Sequence, residues 1–166
     1  MAKTKTYWPV TRPTGQFEAP KMREHLLAHN AKTKSEEFVL VFRPGDEVLS
    51  GLQKFAQRRN IRDAHFTAIG AVSSAVIGWY DNKYHAYRTH HVNEQCEVTS
   101  LIGNISEFKG KVAIHAHVNL GLENGMVMGG HALELFVWPT VELFVQTNAV
   151  PLRKAVEPGT GLPTLV

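Results

Sequence analysis

Between Lys111 and Leu133 the chain reads KVAIHAHVNLGLENGMVMGGHAL, and the rest of the sequence is best read outward from there. In an extended strand, side chains at i and i+2 leave the same face. His115 and His117 therefore point one way, while Val112, Ile114, Ala116 and Val118 point toward a core. Two imidazoles on one sheet face form a natural bidentate ligand. The stretch Asn119–Gly130 is expected to be a loop, because Gly121, Gly125, Gly129 and Gly130 permit the sharp turns that would bring His131 back beside the pair. Three neutral imidazoles with an open position suit a first-row divalent metal, most often zinc, at about 2.0–2.1 Å. The competing reading is that the histidines are half-buried polar residues of a strand.

Around this stretch the chain resembles a known family. The run Gln95–His131, with Glu97, Leu101, Gly103-Asn104-Ile105, His115-Ala116-His117, Gly125 and Gly129-Gly130-His131, is similar to the plants-and-prokaryotes-conserved (PPC) domain. Further matches are Arg43-Pro44-Gly45-Asp46-Glu47-Val48, Gly70-Ala71-Val72 and Pro139-Thr140-Val141-Glu142, so the likeness spans residues 38–150. The resemblance implies a compact α+β domain that forms homotrimers. In plants the domain accompanies AT-hook DNA-binding motifs. Bacterial members have no known function and are labelled DNA-binding by that analogy.

The chain has 166 residues, 43% of them hydrophobic, enough for one domain with a substantial core. We divide it into an N-terminal arm (1–37), a PPC-like domain (38–150) and a C-terminal tail (151–166). Cys96 is the single cysteine, which excludes an intrachain disulfide and points to a reducing cytoplasm. It alternates with Val98, so a buried core thiol is a better reading than a nucleophile. No stretch has the roughly 18 apolar residues of a membrane span, and the N-terminus lacks a signal-peptide core. The net charge is +3, but residues 1–37 hold seven Lys/Arg against four Asp/Glu, whereas residues 38–150 hold nine against ten. Any attraction to phosphate therefore sits in the arm.

The arm, with Pro9, Pro13 and Pro20, is expected to be extended, with a short helical turn around Lys21–Asn30 and with Trp8, Phe17 and Leu26-Leu27 docking. Phe38–Phe42 reads as a central strand. After Arg43-Pro44-Gly45, Asp46 is the expected N-cap of a helix in which Val48, Leu49, Leu52, Phe55 and Ala56 recur at helical spacing up to Arg58-Arg59-Asn60. Arg58, Arg59 and Arg62 fit a helix C-terminus better than a phosphate patch. Strands are expected at His65–Ile69 and Val72–Tyr80, separated at Gly70-Ala71, and then at Tyr84–Thr89. His90-His91 fall in a loop. In the next strand, Glu94–Ile102, Cys96, Val98, Ser100 and Ile102 share one face, and Gly103-Asn104 begins a link. Leu133–Trp138 and Thr140–Thr147 flank Pro139 as two strands, and the tail is irregular. Phe136, Trp138, Phe144 and Trp79 break the apolar–polar alternation, so both sheet faces need cover, more than one helix supplies; this supports a homotrimer.

Three functions are open to such a chain. The first is a metal-binding PPC-like protein with a regulatory or interaction role. The second is a zinc-dependent hydrolase-like enzyme, for which Glu97 and Glu142 are the candidate bases because each lies in an apolar strand context. The third is direct DNA binding, for which weak contact through the arm is the expectation. No helix-turn-helix, zinc-finger or AT-hook pattern is present, and Arg12-Pro13 lacks the preceding glycine. Gly121-x-x-x-Gly125 is not followed by the Gly-Lys-Ser/Thr of a phosphate-binding loop.

Overall fold

Apolar residues alternate with polar ones over most of the sequence after Phe38, and the protein is accordingly built mostly of strand. The computed structural model describes residues 6–10 and 15–166. Its elements are β1 (Tyr7–Pro9), β2 (Arg23–Asn30), β3 (Ser35–Phe42), α1 (Val48–Arg59), β4 (Ala64–Asp81), β5 (Ala86–Val92), β6 (Cys96–Phe108), β7 (Lys111–Gly121), β8 (Val127–Thr147), β9 (Arg153–Val156) and β10 (Pro163–Leu165). Among the arm's basic residues, Lys3, Lys5 and Arg12 lie outside the described residues.

The long strands β4 and β8 run antiparallel from Ala64 opposite Thr147 to Gly78 opposite His131. The other edge of β4 is taken first by β6 and then by β5. The other edge of β8 is taken by β7 near its start and by β3 near its end. Because β6 and β7 pair with each other along their length, the ladder β4–β6–β7–β8 returns to β4. Apolar side chains fill this closed region, among them Phe66, Leu101, Ile105, Val118, Leu120 and Leu143. The helix α1 seals a second side of the core with Leu49, Leu52, Phe55 and Ala56, and the rings of Phe55 and Phe38 meet edge-on at 5.1 Å. All pairings are antiparallel except β6 with β9, so the sheet is mixed and the helical content is small.

Several local expectations are corrected. The N-cap of α1 is Glu47, not Asp46: its carboxylate accepts from Leu49 N–H (3.1 Å), Ser50 N–H (2.8 Å), the Ser50 hydroxyl and Leu135 N–H (3.0 Å). Burial drives the Glu47 pKa upward against those hydrogen bonds. Asp46, also buried, instead ties Lys21 N–H and Arg43 N–H. Residues 23–30 form strand β2, not a helical turn; they lie on the sheet edge with both faces largely in water, which removes the alternation that would have marked a strand. Trp8 docks and is buried, but Leu26 and Leu27 stay exposed.

Gly70 and Pro139 interrupt neither β4 nor β8, each of which is one continuous strand shifted in register near those residues. Likewise β6 continues through Gly103-Asn104 to Phe108. Its faces exchange midway because Thr99 is an extra residue in the ladder to β7, a bulge that turns Leu101 inward and leaves Ile102 60% exposed. His90 and His91 lie in β5, not in a loop, and both are exposed. The tail forms the β9–β10 hairpin. Arg58 and Arg59 both bind Glu24, at 2.8 and 2.7 Å, and Arg62 binds Glu107, so these guanidinium groups are engaged by carboxylates.

Candidate metal centre

The three histidines of the opening stretch meet. His117 on β7 lies directly opposite His131 on β8, and His115 sits two residues away on the same face of β7. The expected Asn119–Gly130 loop is in fact a hairpin whose turn spans only residues 122–126, closed by Leu122 N–H to Met126 O (2.8 Å) and Gly125 N–H to Leu122 O (2.9 Å). His131 is thus delivered by strand register, not by loop geometry. Gly130 serves close packing instead of turning: a β-carbon there would stand 2.7 Å from the carbonyl oxygen of Gly78 on β4. Without that approach β8 could not lie between β7 and β4 at the level of the histidines.

Ring centroids are separated by 5.3 Å (His115–His117), 5.2 Å (His115–His131) and 5.5 Å (His117–His131). One ligating nitrogen from each ring falls within 4.8 Å of the others. Small ring rotations bring such nitrogens to the about 3.4 Å spacing of ligands around a tetrahedral metal. His131 is held by Tyr87, whose ring stacks on it at 4.4 Å and 12°. Its Nδ1 is buried and, among the described residues, has no hydrogen-bond partner. A buried ring nitrogen without a partner is destabilising, and in the tautomer that leaves it a lone pair a metal would satisfy it.

The electrostatics suit ligation. Burial, with Lys154 and His117 adding repulsion, lowers the His115 pKa to about 4. Burial also lowers that of His131 to about 3, with further contributions from His115, His117 and Lys154. Both rings are neutral at pH 7, the form a metal binds. Lys154 itself is half-buried, and desolvation lowers its pKa. Asn104, opposite His115 in the β6–β7 ladder, also keeps a buried side-chain oxygen without a partner among the described residues.

A cavity of about 520 Å³ opens beside the centre, reached by His115 and His131 and walled by Trp8, Tyr87, Leu133 and Lys154 among others. Sequence reasoning missed Tyr87, Asn104 and Lys154. The Gly103-Asn104 pair carried a signal, and the expected strand Tyr84–Thr89 does pair with the one before it, Tyr87 opposite Tyr80, though nothing aimed Tyr87 at the histidines. Lys154 arrives from a tail strand whose pairing the sequence does not announce. The candidate bases fare differently. Glu97 and Glu142 are both exposed, and the histidine cluster does not include them. Glu142 pairs with Ile69, far along β8 from His131, which pairs with Gly78. Cys96 is buried, and burial pushes its thiol pKa upward, away from nucleophilic use.

Fold and site together define a small β-rich domain with a three-histidine cluster on one hairpin. Residues 29–149 match the model of the Plants and Prokaryotes Conserved (PCC) domain, and the chain belongs to that family. Among solved structures, a metal-containing protein of Archaeoglobus fulgidus is 31% identical, with 93% of this chain and 99% of that one covered and a TM-score of 0.69. A candidate DNA-binding protein of Ralstonia eutropha JMP134 is 30% identical, with 78% and 90% covered and a TM-score of 0.74. A plant- and prokaryote-conserved protein of Pyrococcus horikoshii is 27% identical, with 87% and 94% covered and a TM-score of 0.74. No curated protein matches the chain. No helix among the described residues is long and apolar enough to cross a membrane.

Proposed function

We propose that the protein binds one divalent first-row metal, zinc by preference, through His115, His117 and His131, and works as a regulatory or interaction module. The observation that carries this is the convergence of three ligating nitrogens within 4.8 Å, two of them on rings kept neutral by burial. The description of the Archaeoglobus relative as metal-containing supports it. When bound, the metal would supply a fixed positive charge and an open coordination position. The test is elemental analysis of untagged protein after zinc loading and dialysis. One zinc per chain is expected, and His117→Ala should weaken binding by about 100-fold without unfolding the chain, since that ring is exposed and the core side of β7 is untouched. Folded wild-type protein that retains no metal would sink the proposal.

The hydrolase-like alternative is favoured by one observation, the cavity that reaches His115 and His131. Against it, neither Glu97 nor Glu142 belongs to the histidine cluster. A metal-bound interaction module therefore remains the preferred reading. A cytoplasmic setting is part of the same proposal and rests on the single, buried cysteine.

Assembly as a homotrimer belongs to the proposal as well. Ile69, Ile102 and Phe144 are 60%, 60% and 47% exposed on β4, β6 and β8. Ile102 and Phe144 both lie opposite Thr67, and Ile102 is also opposite His117, so the apolar band extends to the metal centre. Sedimentation equilibrium at micromolar concentration should give three times the monomer mass, and Ile102→Lys should shift it toward monomer. A wild-type monomer would reject the trimer.

We restrict DNA binding to weak, salt-dependent contact through the basic N-terminal segment, of which Lys32 and Lys34 stand exposed at the β2–β3 turn. Cutting the chain at Glu36 would remove β2, so charge substitution is the cleaner probe. Affinity for duplex DNA should fall steeply between about 50 and 200 mM salt, and further on Lys32→Gln with Lys34→Gln. Tight, sequence-selective binding indifferent to those changes would return DNA recognition to the folded domain.

A further inference from the structure

The cavity beside the histidine centre is completed by two segments from outside the matched family region. Its lining includes Trp8, Pro9 and Val10 at one end of the chain and Lys154, Leu162 and Pro163 at the other, whereas the family match covers residues 29–149. Each terminal segment is fixed by backbone pairing. Trp8 lies opposite Tyr87 in the β1–β5 ladder, and Lys154 lies opposite Phe108 where β9 joins β6. The C-terminal hairpin is tied down again at Thr160, whose carbonyl accepts from the Tyr80 hydroxyl and lies 3.0 Å from His85 Nδ1. The walls are therefore held in register with the histidines.

The lining has a one-sided charge. Lys109, Lys111 and Lys154 contribute to it, and no aspartate or glutamate does. Of the three, Lys154 is half-buried while the other two are exposed. Among the described residues no carboxylate lies within ion-pair distance of Lys154. A partly desolvated ammonium without a counter-charge is unfavourable, and a divalent cation on the neighbouring imidazoles would add to the positive potential. Trp8, Tyr87, Ile114, Leu133 and Leu162 make much of the remaining wall apolar, while Gln53 and Gln57 from α1 add amides that can both donate and accept. A volume of about 520 Å³, mostly apolar with a few convergent polar groups, has the character of a small-molecule pocket.

We infer that this cavity binds a small organic acid, its carboxylate set between the Lys154 ammonium and the metal position and its apolar body against Trp8 and Tyr87. The metal-facing half of this assignment rests on the three-histidine reading; the Lys154 half does not. The charge count favours an anion, the apolar wall favours one with a hydrocarbon body over a mineral anion, and the terminal segments, which supply Trp8 and Lys154, contribute to that selectivity.

The test uses the full chain, first metal-free and then loaded with Co²⁺, whose visible spectrum reports a change of ligand; metal content is measured beforehand. Benzoate, acetate, inorganic phosphate and the neutral isostere benzamide are titrated by calorimetry. Benzoate is expected to bind more tightly than acetate, phosphate or benzamide, and to perturb the cobalt spectrum. Lys154→Gln should lower benzoate affinity about tenfold or more with metal content unchanged. Trp8→Ala should weaken benzoate and leave acetate unchanged. Benzamide or phosphate binding as well as benzoate, indifference to Lys154→Gln, or no benzoate binding in either form at about 10 mM would each overturn the inference. If the metal does not load, the three-histidine proposal fails alone, and Lys154-dependent benzoate binding by the metal-free chain still decides this one.

Discussion

Gly103→Val is expected to yield no folded protein, and Gly103→Ala to lose about 3 kcal/mol of stability together with most of the metal affinity. Gly103 lies on β6 opposite both Phe66 on β4 and Ala116 on β7. A β-carbon there would stand 2.2 Å from the carbonyl oxygen of His115 and 2.4 Å from the Phe66 ring. The first obstacle is backbone and cannot rotate aside. The second is a fully buried ring with no free volume to enter. Relief requires β6 to move away from β7 at the level of His115, between the two ligands' positions and the core. Gly159→Ala is the control, because nothing lies within 4 Å of the β-carbon it would add. Urea unfolding of the three variants beside wild type, with zinc content measured on the folded ones, checks the claim. A Gly103→Ala protein as stable as Gly159→Ala would show that the strands are not as tightly joined as this packing requires.

That same residue shows why the sequence was only partly legible. Glycines are read as turn-formers, and on that ground Gly103, Gly129 and Gly130 are expected in links. All three lie inside strands, where the lack of a side chain lets a neighbouring backbone approach at Gly103 and Gly130 and admits the Asn119 amide at Gly129. The His115–His117 pair was legible because the i, i+2 rule holds for any strand, whatever its partners. How His131 returned was not, because pairing register is set by contacts between β7, β8 and β4. The helix is legible in its apolar spacing from Val48 to Ala56, yet its cap lies one residue beyond the expected Asp46, at Glu47. Asp46 and Glu47 are both buried acids with backbone partners, and sequence order alone does not say which carboxylate folds back on the helix. A single bulged residue, Thr99, reversed the inferred faces of half a strand. The cavity was wholly illegible, since it joins Trp8, Tyr87, His131 and Lys154 from four separate strands.

Acid should destabilise the metal-free protein through the same histidines that hold the metal. The His131 pKa is lowered from 6.5 to about 3, chiefly by burial, and that of His115 from 6.5 to about 4. Above pH 6.5 the rings are neutral in both folded and unfolded chains and contribute no pH dependence. As the pH falls below 6.5 the unfolded chain takes up protons that the folded chain refuses, so unfolding becomes easier. The loss continues until the folded rings protonate, near pH 4 for His115 and pH 3 for His131. Each proton of difference is worth about 1.4 kcal/mol per pH unit, so His131 accounts for a loss on the order of 3–4 kcal/mol between pH 6.5 and 4. His115 adds less, because its ring is partly in water. Other groups titrate in this range, so the informative quantity is a difference. His131→Phe removes the titrating ring while keeping an aromatic surface for Tyr87 to stack on. Urea midpoints of metal-free wild type should fall more steeply from pH 6.5 to 4 than those of His131→Phe. Parallel curves for the two proteins would mean that the ring is hydrated or partnered in solution, and the neutral, ligand-ready state assigned to it would have to be withdrawn.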